Sequence, residues 1–178
     1  MSIPKEPSRV KLIVSSIYSD QVACEKVVSL LKEKFGLIDI IEAHFPFTFT
    51  TYYHKEMGEP LFRSFLSFQK HILREALPDI KLFTNEIENS LAKEGGRRTI
   101  NIDPGYINDA QLILATGKNF SHRIYLGKGI FGDLTLIYSK GEFHAQPWTY
   151  PDYQQEPILG LLKKMRERYL IECEENRG

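Results

Sequence analysis

Three stretches of helical periodicity, the last of them near the C-terminus, are set into a chain otherwise written in short β-branched and aromatic runs. That alternation restricts the fold more than any other feature. Over residues 21–35 the apolar positions Val27, Val28, Leu31 and Phe35 return at helical spacing, with Ser19 or Asp20 placed to cap the start and Gly36 to end it. From Pro78 at a first-turn position, Ile80, Phe83, Ile87 and Leu91 form a second stripe that should run on to Gly95-Gly96. A helix with one apolar stripe must lay it on another layer, and the flanking runs at 10–16, 37–43, 61–73 and 98–103 read as strands. The run 61–73 also has helical spacing at Leu61, Phe65, Phe68 and Ile72; it is read as a strand because its β-rich neighbours need a partner. Beyond residue 43, Phe45, Phe47 and Phe49 alternate with Pro46, Thr48 and Thr50, giving one aromatic face that is core by default. Asp103-Pro104-Gly105-Tyr106 is expected to be a type II turn.

The resulting order, βαββαβ, predicts an α+β fold that starts in the ferredoxin-like manner. Residues 111–116 add a strand, and 122–126 with 130–138 form a hairpin about Gly127-Lys128-Gly129. In that hairpin Leu126 should face Ile130 and Arg123 should face Asp133, with Tyr125 and Phe131 on the same face as the Arg-Asp pair. Residues 142–147 close the sheet, and 157–172 form a last helix with Ile158, Leu161, Leu162, Met165 and Tyr169 apolar. At 178 residues the chain is read as one domain, with 1–9 a flexible arm and 157–178 a C-terminal helix and tail.

Lys+Arg and Asp+Glu are both 23, so no net field draws the chain toward nucleic acid or anionic lipid. Cys24 and Cys173 stand alone at opposite ends and fit neither a zinc spacing nor a CxxC redox motif. The N-terminus is polar and no stretch is apolar enough for a signal peptide or a membrane span, so the expectation is a cytoplasmic protein with reduced thiols.

Several strings together carry a likeness. Thr51-Tyr52-Tyr53 with Glu56-Met57-Gly58, Thr84-Asn85 with Glu88, and the Asn101 to Tyr106 string resemble the bacterial domain of unknown function 4416 family. His122-Arg123-Ile124-Tyr125-Leu126 and Trp148-Thr149-Tyr150-Pro151-Asp152-Tyr153 resemble it most strongly. The resemblance covers about residues 10–153. It implies a compact bacterial cytoplasmic protein and no particular activity.

Function must therefore be sought in the polar residues. Lys81, Asn85 and Glu88 share one helical face, either a solvated one or the wall of a ligand cleft. Lys118, Arg123 and Lys128, with His122, lie in a stretch from Gln111 to Gly132 that has no acid. Three cations and flexible glycines near a turn can hold a phosphate; the plainer alternative is a cross-strand Arg123-Asp133 ion pair. No P-loop is present, since Gly117-Lys118 lacks the earlier glycine and the following Ser/Thr. Acid-base or metal candidates are His54, Glu56, Asp103, His122 and Asp152, although an isolated histidine is more often structural.

The expected site comprises Glu56, Asp103 and His122 as catalytic candidates. Lys81, Asn85, Arg98, Lys118, Arg123, Lys128 and Tyr125 are the ligand-binding candidates, with Arg97 as a further cation. Glu88 and Asp103 are the candidates for a metal, for which Mg²⁺ is the natural choice beside a phosphate. The residues 148–153 offer either a stacking platform for a base or an aromatic lid over the last helix. Two readings follow: binding of a nucleotide or other phosphorylated small molecule, with metal-assisted phosphate chemistry, or a non-catalytic RNA-binding or protein-interaction module. Neutral charge disfavours nucleic acid as a partner.

Overall fold

The computed structural model describes residues 3–175, so the first two residues of the expected N-terminal arm and the last three of the expected tail lie outside it. The chain opens with β1 (Val10–Tyr18), α1 (Gln21–Phe35), β2 (Ile38–Pro46), a short α2 (His54–Met57) and β3 (Phe62–Ile72). There follow α3 (Leu77–Ser90), β4 (Ile100–Ile107), β5 (Gln111–Thr116), β6 (Arg123–Gly127), β7 (Ile130–Ser139), β8 (Glu142–Ala145) and α4 (Glu156–Glu175). Asp20 caps α1 by accepting from the Val22 N–H at 2.9 Å, and Gly36 ends it at φ 92°.

All strand pairs are antiparallel, in the order β2-β3-β1-β4-β5-β7-β6, with β8 pairing to β7. The central strand β1 is buried along its whole length and feeds both faces. Leu12, Val14 and Tyr18 pack with Val27 and Leu31 of α1 and Ile80 and Ile87 of α3. Ile13 packs on the other side with Leu161, Leu162 and Met165 of α4. The α+β class is thus as read. The ferredoxin-like description is corrected: β4 is not a sheet edge but an interior strand joined to β5, and α4 covers the second face of one eight-stranded sheet.

The run 61–73 is a strand, as its neighbours required. Four local readings change. Asp103, Pro104, Gly105 and Tyr106 are not a turn but lie inside β4. Gly105 is there because the next strand passes too close for a side chain: a Cβ would stand 2.4 Å from the Ile113 carbonyl oxygen and 2.7 Å from Leu114 Cδ2. Helix α3 stops at Ser90, and Gly95 and Gly96, at φ 80° and 74°, instead turn a small loop closed by the Lys93–Arg97 bridge. In the β6–β7 hairpin a bulge sets Gly127, not Leu126, opposite Ile130, while Arg123 does face Asp133 and Tyr125 faces Phe131. Helix α4 also begins at Glu156 and runs to Glu175, longer than its periodicity suggested. No helix among the described residues is long and apolar enough to cross a membrane.

One buried charge cluster ties the sheet to α4. Lys11 in β1 is fully buried, and its ammonium pairs with Asp39 of β2, with Glu172 of α4 at 2.9 Å, and with the Phe68 carbonyl at 3.0 Å. Glu172 also accepts from His71 at 2.8 Å and from Arg168 at 2.9 Å. Burial pushes the Asp39 carboxyl up, but the hydrogen bonds from Lys11 and Ser67 outweigh it and hold the group below the ordinary carboxylate range.

Two outcomes are expected. Gly105→Ala should lose about 1–3 kcal/mol in urea denaturation, because the new methyl meets backbone; Gly117→Ala, where a Cβ meets nothing within 4 Å, should change stability by less than about 0.5 kcal/mol. Equal losses would refute the close-approach account. Lys11→Met should lose about 3–5 kcal/mol at neutral pH by leaving buried carboxylates without their cation. In the wild type the unfolded Asp39 binds a proton more readily than the folded one, so its contribution is present above the ordinary carboxylate range and is lost as pH falls through the folded value. In Lys11→Met that slope should reverse, the deficit shrinking on acidification; a deficit that does not change with pH would contradict this assignment.

Candidate functional site

Strand β4 follows β1 along its whole length, from Tyr18↔Ile100 to Lys11↔Ile107. Strand β5 likewise follows β7 from Gln111 to Thr116. Between themselves they pair only at Gly105↔Leu114, Tyr106↔Ile113 and Ile107↔Leu112. Past Gly105 the sheet splits, and among the described residues no strand pairs with residues 100–103 of β4 on that side. A cavity of about 600 Å³ occupies the split, bounded by Asn101 and Asp103 on one bank and by Leu114 to Lys118 on the other.

Groups from both faces of the sheet reach the cavity. Asn101 and Asp103 stand in register with Ile17 and Ser15, whose side chains serve the α4 face. From the opposite face α3 sends Lys81, Asn85 and Glu88. Lys81 and Glu88 are only 7% and 6% exposed, so this is not a solvated helix face but a cavity wall. The turn after β8 contributes Tyr150 to Tyr153, and the connection after β2 contributes Phe47, Phe49, Tyr52 and Tyr53.

Most of the charged lining is internally paired. Arg98 forms a two-pronged contact with Glu56, both bonds 2.8 Å, and also reaches Asn101 at 2.9 Å and Glu88 at 3.5 Å. Those hydrogen bonds drive the Glu56 carboxyl down and the Arg98 guanidinium up. Lys81 donates to the Ile102 carbonyl at 2.6 Å and lies 3.9 Å from Glu88 and 3.6 Å from Asp103. Glu88 accepts the Ile102 N–H at 2.8 Å, yet burial still pushes its carboxyl up. Arg63 and Asp152, each about 6% exposed in their side chains, pair at 2.7 Å. Arg63 also donates to Ser15 at 2.9 Å, and its guanidinium sits over the Phe47 and Tyr153 rings at 5.0 and 5.1 Å. Burial pushes Asp152 and Tyr153 upward despite that cation.

The hairpin supplies the other bank. Arg123 Nε donates to Asp133 at 2.9 Å and Nη1 to the Lys118 carbonyl at 3.0 Å, leaving Nη2 uncommitted among the described residues. His122 Nε2 donates to the same Asp133 oxygen at 3.1 Å, and Trp148 stacks on the imidazole at 4.6 Å with planes 8° apart. The Lys118 ammonium has the Tyr52 ring at 5.0 Å and no carboxylate partner among the described residues.

Of the sequence-derived candidates, Lys81, Asn85, Glu88, Arg98, Asp103, Lys118 and Arg123 therefore meet around one cavity. Glu56 and His122 stand behind it, holding Arg98 and Asp133. Lys128 and Tyr125 do not belong to the lining. Lys128 pairs with Asp79 on the surface, and Tyr125 packs on Phe131 and stays 60% exposed. Arg97 is exposed in its loop, and His54 pairs with Glu59 at 2.7 Å. Trp148 is not an open platform, since His122 takes its face and its indole N–H is given to Leu134 at 2.8 Å. The Glu88 and Asp103 carboxylates have Lys81 between them, so the ammonium already supplies the charge that Mg²⁺ would bring; no group of three or more His, Cys, Asp or Glu among the described residues is arranged to hold a metal. Sequence reading missed Arg63 and Ser15. The one available signal was an arginine interrupting the apolar-aromatic run of β3.

With this geometry in place the chain can be set beside known proteins. No curated protein and no solved structure matches it. The split sheet and the strings that line it lie within residues 8–169, which match the family model described as Domain of unknown function (DUF4416), and the chain belongs to that family.

Proposed function

We propose that the cavity between β4 and β5 binds a phosphorylated small molecule, with the phosphate at the Lys118–Arg123 bank. The observation that carries this is the charge inventory of the wall. Arg63, Lys81 and Arg98 all have carboxylate partners, whereas Lys118 has none among the described residues and Arg123 keeps one nitrogen uncommitted. Positive charge is left over on that bank alone. A phosphate there would accept charge-assisted bonds from both side chains without breaking an existing ion pair. The volume suits it as well, being within the usual range for small-molecule sites and far larger than an inorganic anion requires. The remaining ion pairs form the frame that keeps the split open. This is a binding function; the wall carries no nucleophile with an adjacent base, and no reaction is assigned to it.

Thermal denaturation tests the reading directly. At saturating concentrations, about a hundredfold over Kd, a phosphorylated sugar or nucleotide should raise Tm by roughly 5–10 °C. Lys118→Ala should remove most of that shift and leave the apo Tm unchanged, because Lys118 is exposed and makes no ion pair that folding needs. Arg123→Ala should also remove the shift, while leaving Asp133 with His122. No shift with any phosphorylated compound, or a full shift in Lys118→Ala, would refute the proposal. Single-stranded RNA in the same assay should bind weakly at physiological salt, given the balance of 23 basic and 23 acidic residues. Tight binding with a steep salt dependence would favour an RNA-binding module instead.

A further inference from the structure

Ion pairs hold part of the lining as a frame and leave other groups free to meet a ligand. Asn85 projects from α3 into the cavity, half-buried, and its carboxamide makes no hydrogen bond among the described residues. Its helical neighbours on the same face, Lys81 and Glu88, are both committed to the β4 backbone. Between two side chains held by the β4 backbone, the Asn85 carboxamide thus stands with its donor and acceptor free for a ligand in the cavity. The aromatic side of the cavity is equally available. Phe49, Tyr52 and Tyr150 line it at 39%, 60% and 52% exposure, presenting ring surface at the mouth rather than in the core. The Tyr53 hydroxyl also makes no hydrogen bond among the described residues; burial pushes its ionisation far upward, so it remains a donor.

Building on the phosphate reading, we infer that the ligand is a nucleotide, its base stacked among the mouth aromatics and its hydrogen-bonding edge read by the Asn85 carboxamide. The chemistry selects a base over a simple sugar phosphate. A carboxamide offers an acceptor and a donor side by side, the complement of a ring edge that places a donor next to an acceptor, and aromatic side chains bind flat π-faces whatever the base. A sugar phosphate has no flat face and no fixed donor–acceptor edge, and would leave both features unused. Asn85 is on this account a specificity residue, and Lys118 an affinity residue for the phosphate.

Calorimetric titration with the four common nucleoside monophosphates, the corresponding nucleosides and ribose 5-phosphate tests it, using the wild type, Asn85→Ala, Asn85→Leu and Lys118→Ala. At least one nucleotide should bind tenfold or more tightly than ribose 5-phosphate. Both Asn85 variants should weaken that nucleotide by about ten- to hundredfold, down to the level of ribose 5-phosphate, whose own affinity they leave unchanged. Lys118→Ala should weaken nucleotide and sugar phosphate alike and leave nucleosides unaffected. The apo Tm of the Asn85 variants should match the wild type, since no intramolecular bond is removed. The inference is overturned if ribose 5-phosphate binds as tightly as every nucleotide, or if the Asn85 variants weaken both equally. Binding of nucleosides that depends on Asn85, with no added affinity from the phosphate, would sink the phosphate reading and keep this one. Failure of all nucleosides and nucleotides with ribose 5-phosphate still bound would do the reverse.

Discussion

The short register between β4 and β5 is the constraint on which the rest of this molecule depends. Each strand is fully paired on its outer side, β4 with β1 and β5 with β7, and the two meet at only three positions. Gly105 makes that meeting possible by letting the β5 backbone come within what would be Cβ distance. Where it ends, the two halves part. The Ile102 backbone, which a continuous sheet would have paired to β5, is bonded by α3 side chains instead, its N–H to Glu88 and its carbonyl to Lys81, and the space beyond is lined largely with polar side chains. The cavity is thus a consequence of sheet topology, with walls drawn from α3 on one face and from residues 150–153 on the other.

An opening through the middle of a sheet is tolerable only if its charged lining is satisfied, because an unpaired buried ion costs several kcal/mol. The structure meets that condition by matching cations to carboxylates locally: Arg63 with Asp152, Arg98 with Glu56 and Glu88, Lys81 with Glu88 and Asp103, and Arg123 with Asp133. The same device appears at the far end of β1, where Lys11 gathers Asp39 and Glu172. Such pairs add little to stability relative to apolar packing, but removing one partner is severe. They act here as posts that fix positions. The groups left outside this pairing, Lys118, the outer nitrogen of Arg123, Asn85 and the tyrosines at the mouth, are those the functional proposals use.

Much of the fold could be read from local pattern. The stripes of α1 and α3, the Asp20 cap and the hairpin pairing of Arg123 with Asp133 all follow from periodicity and turn chemistry over a few residues. Turn chemistry also misled: a Pro-Gly dipeptide signals a turn unless another strand explains it, and for Pro104-Gly105 the explanation is Ile113, a residue on the next strand. The site divides in the same way. Lys81, Asn85 and Glu88 were legible as one helical face, and the acid-free stretch around Lys118 and Arg123 as a cationic one, because both are local arrangements. Arg63 and Lys11 were not, since a lone cation in an apolar strand has no partner within reach along the chain: Arg63 finds Asp152, and Lys11 finds Glu172, 161 positions away.

By itself, then, the amino-acid order determined the α+β class, the helices and strands with most of their bounds, the absence of a global charge field, and the polar residues worth suspecting. Only the tertiary structure decided that Pro104 and Gly105 lie inside a strand, that Lys128 and Tyr125 lie away from the cavity, and that the helical face of α3 is a wall and not a solvated surface. The physical reason is one of range. Helical stripes, caps and hairpins are settled by contacts a few residues apart, whereas the pairing of buried charges and the parting of β4 from β5 are settled by groups that meet only once the sheet has formed.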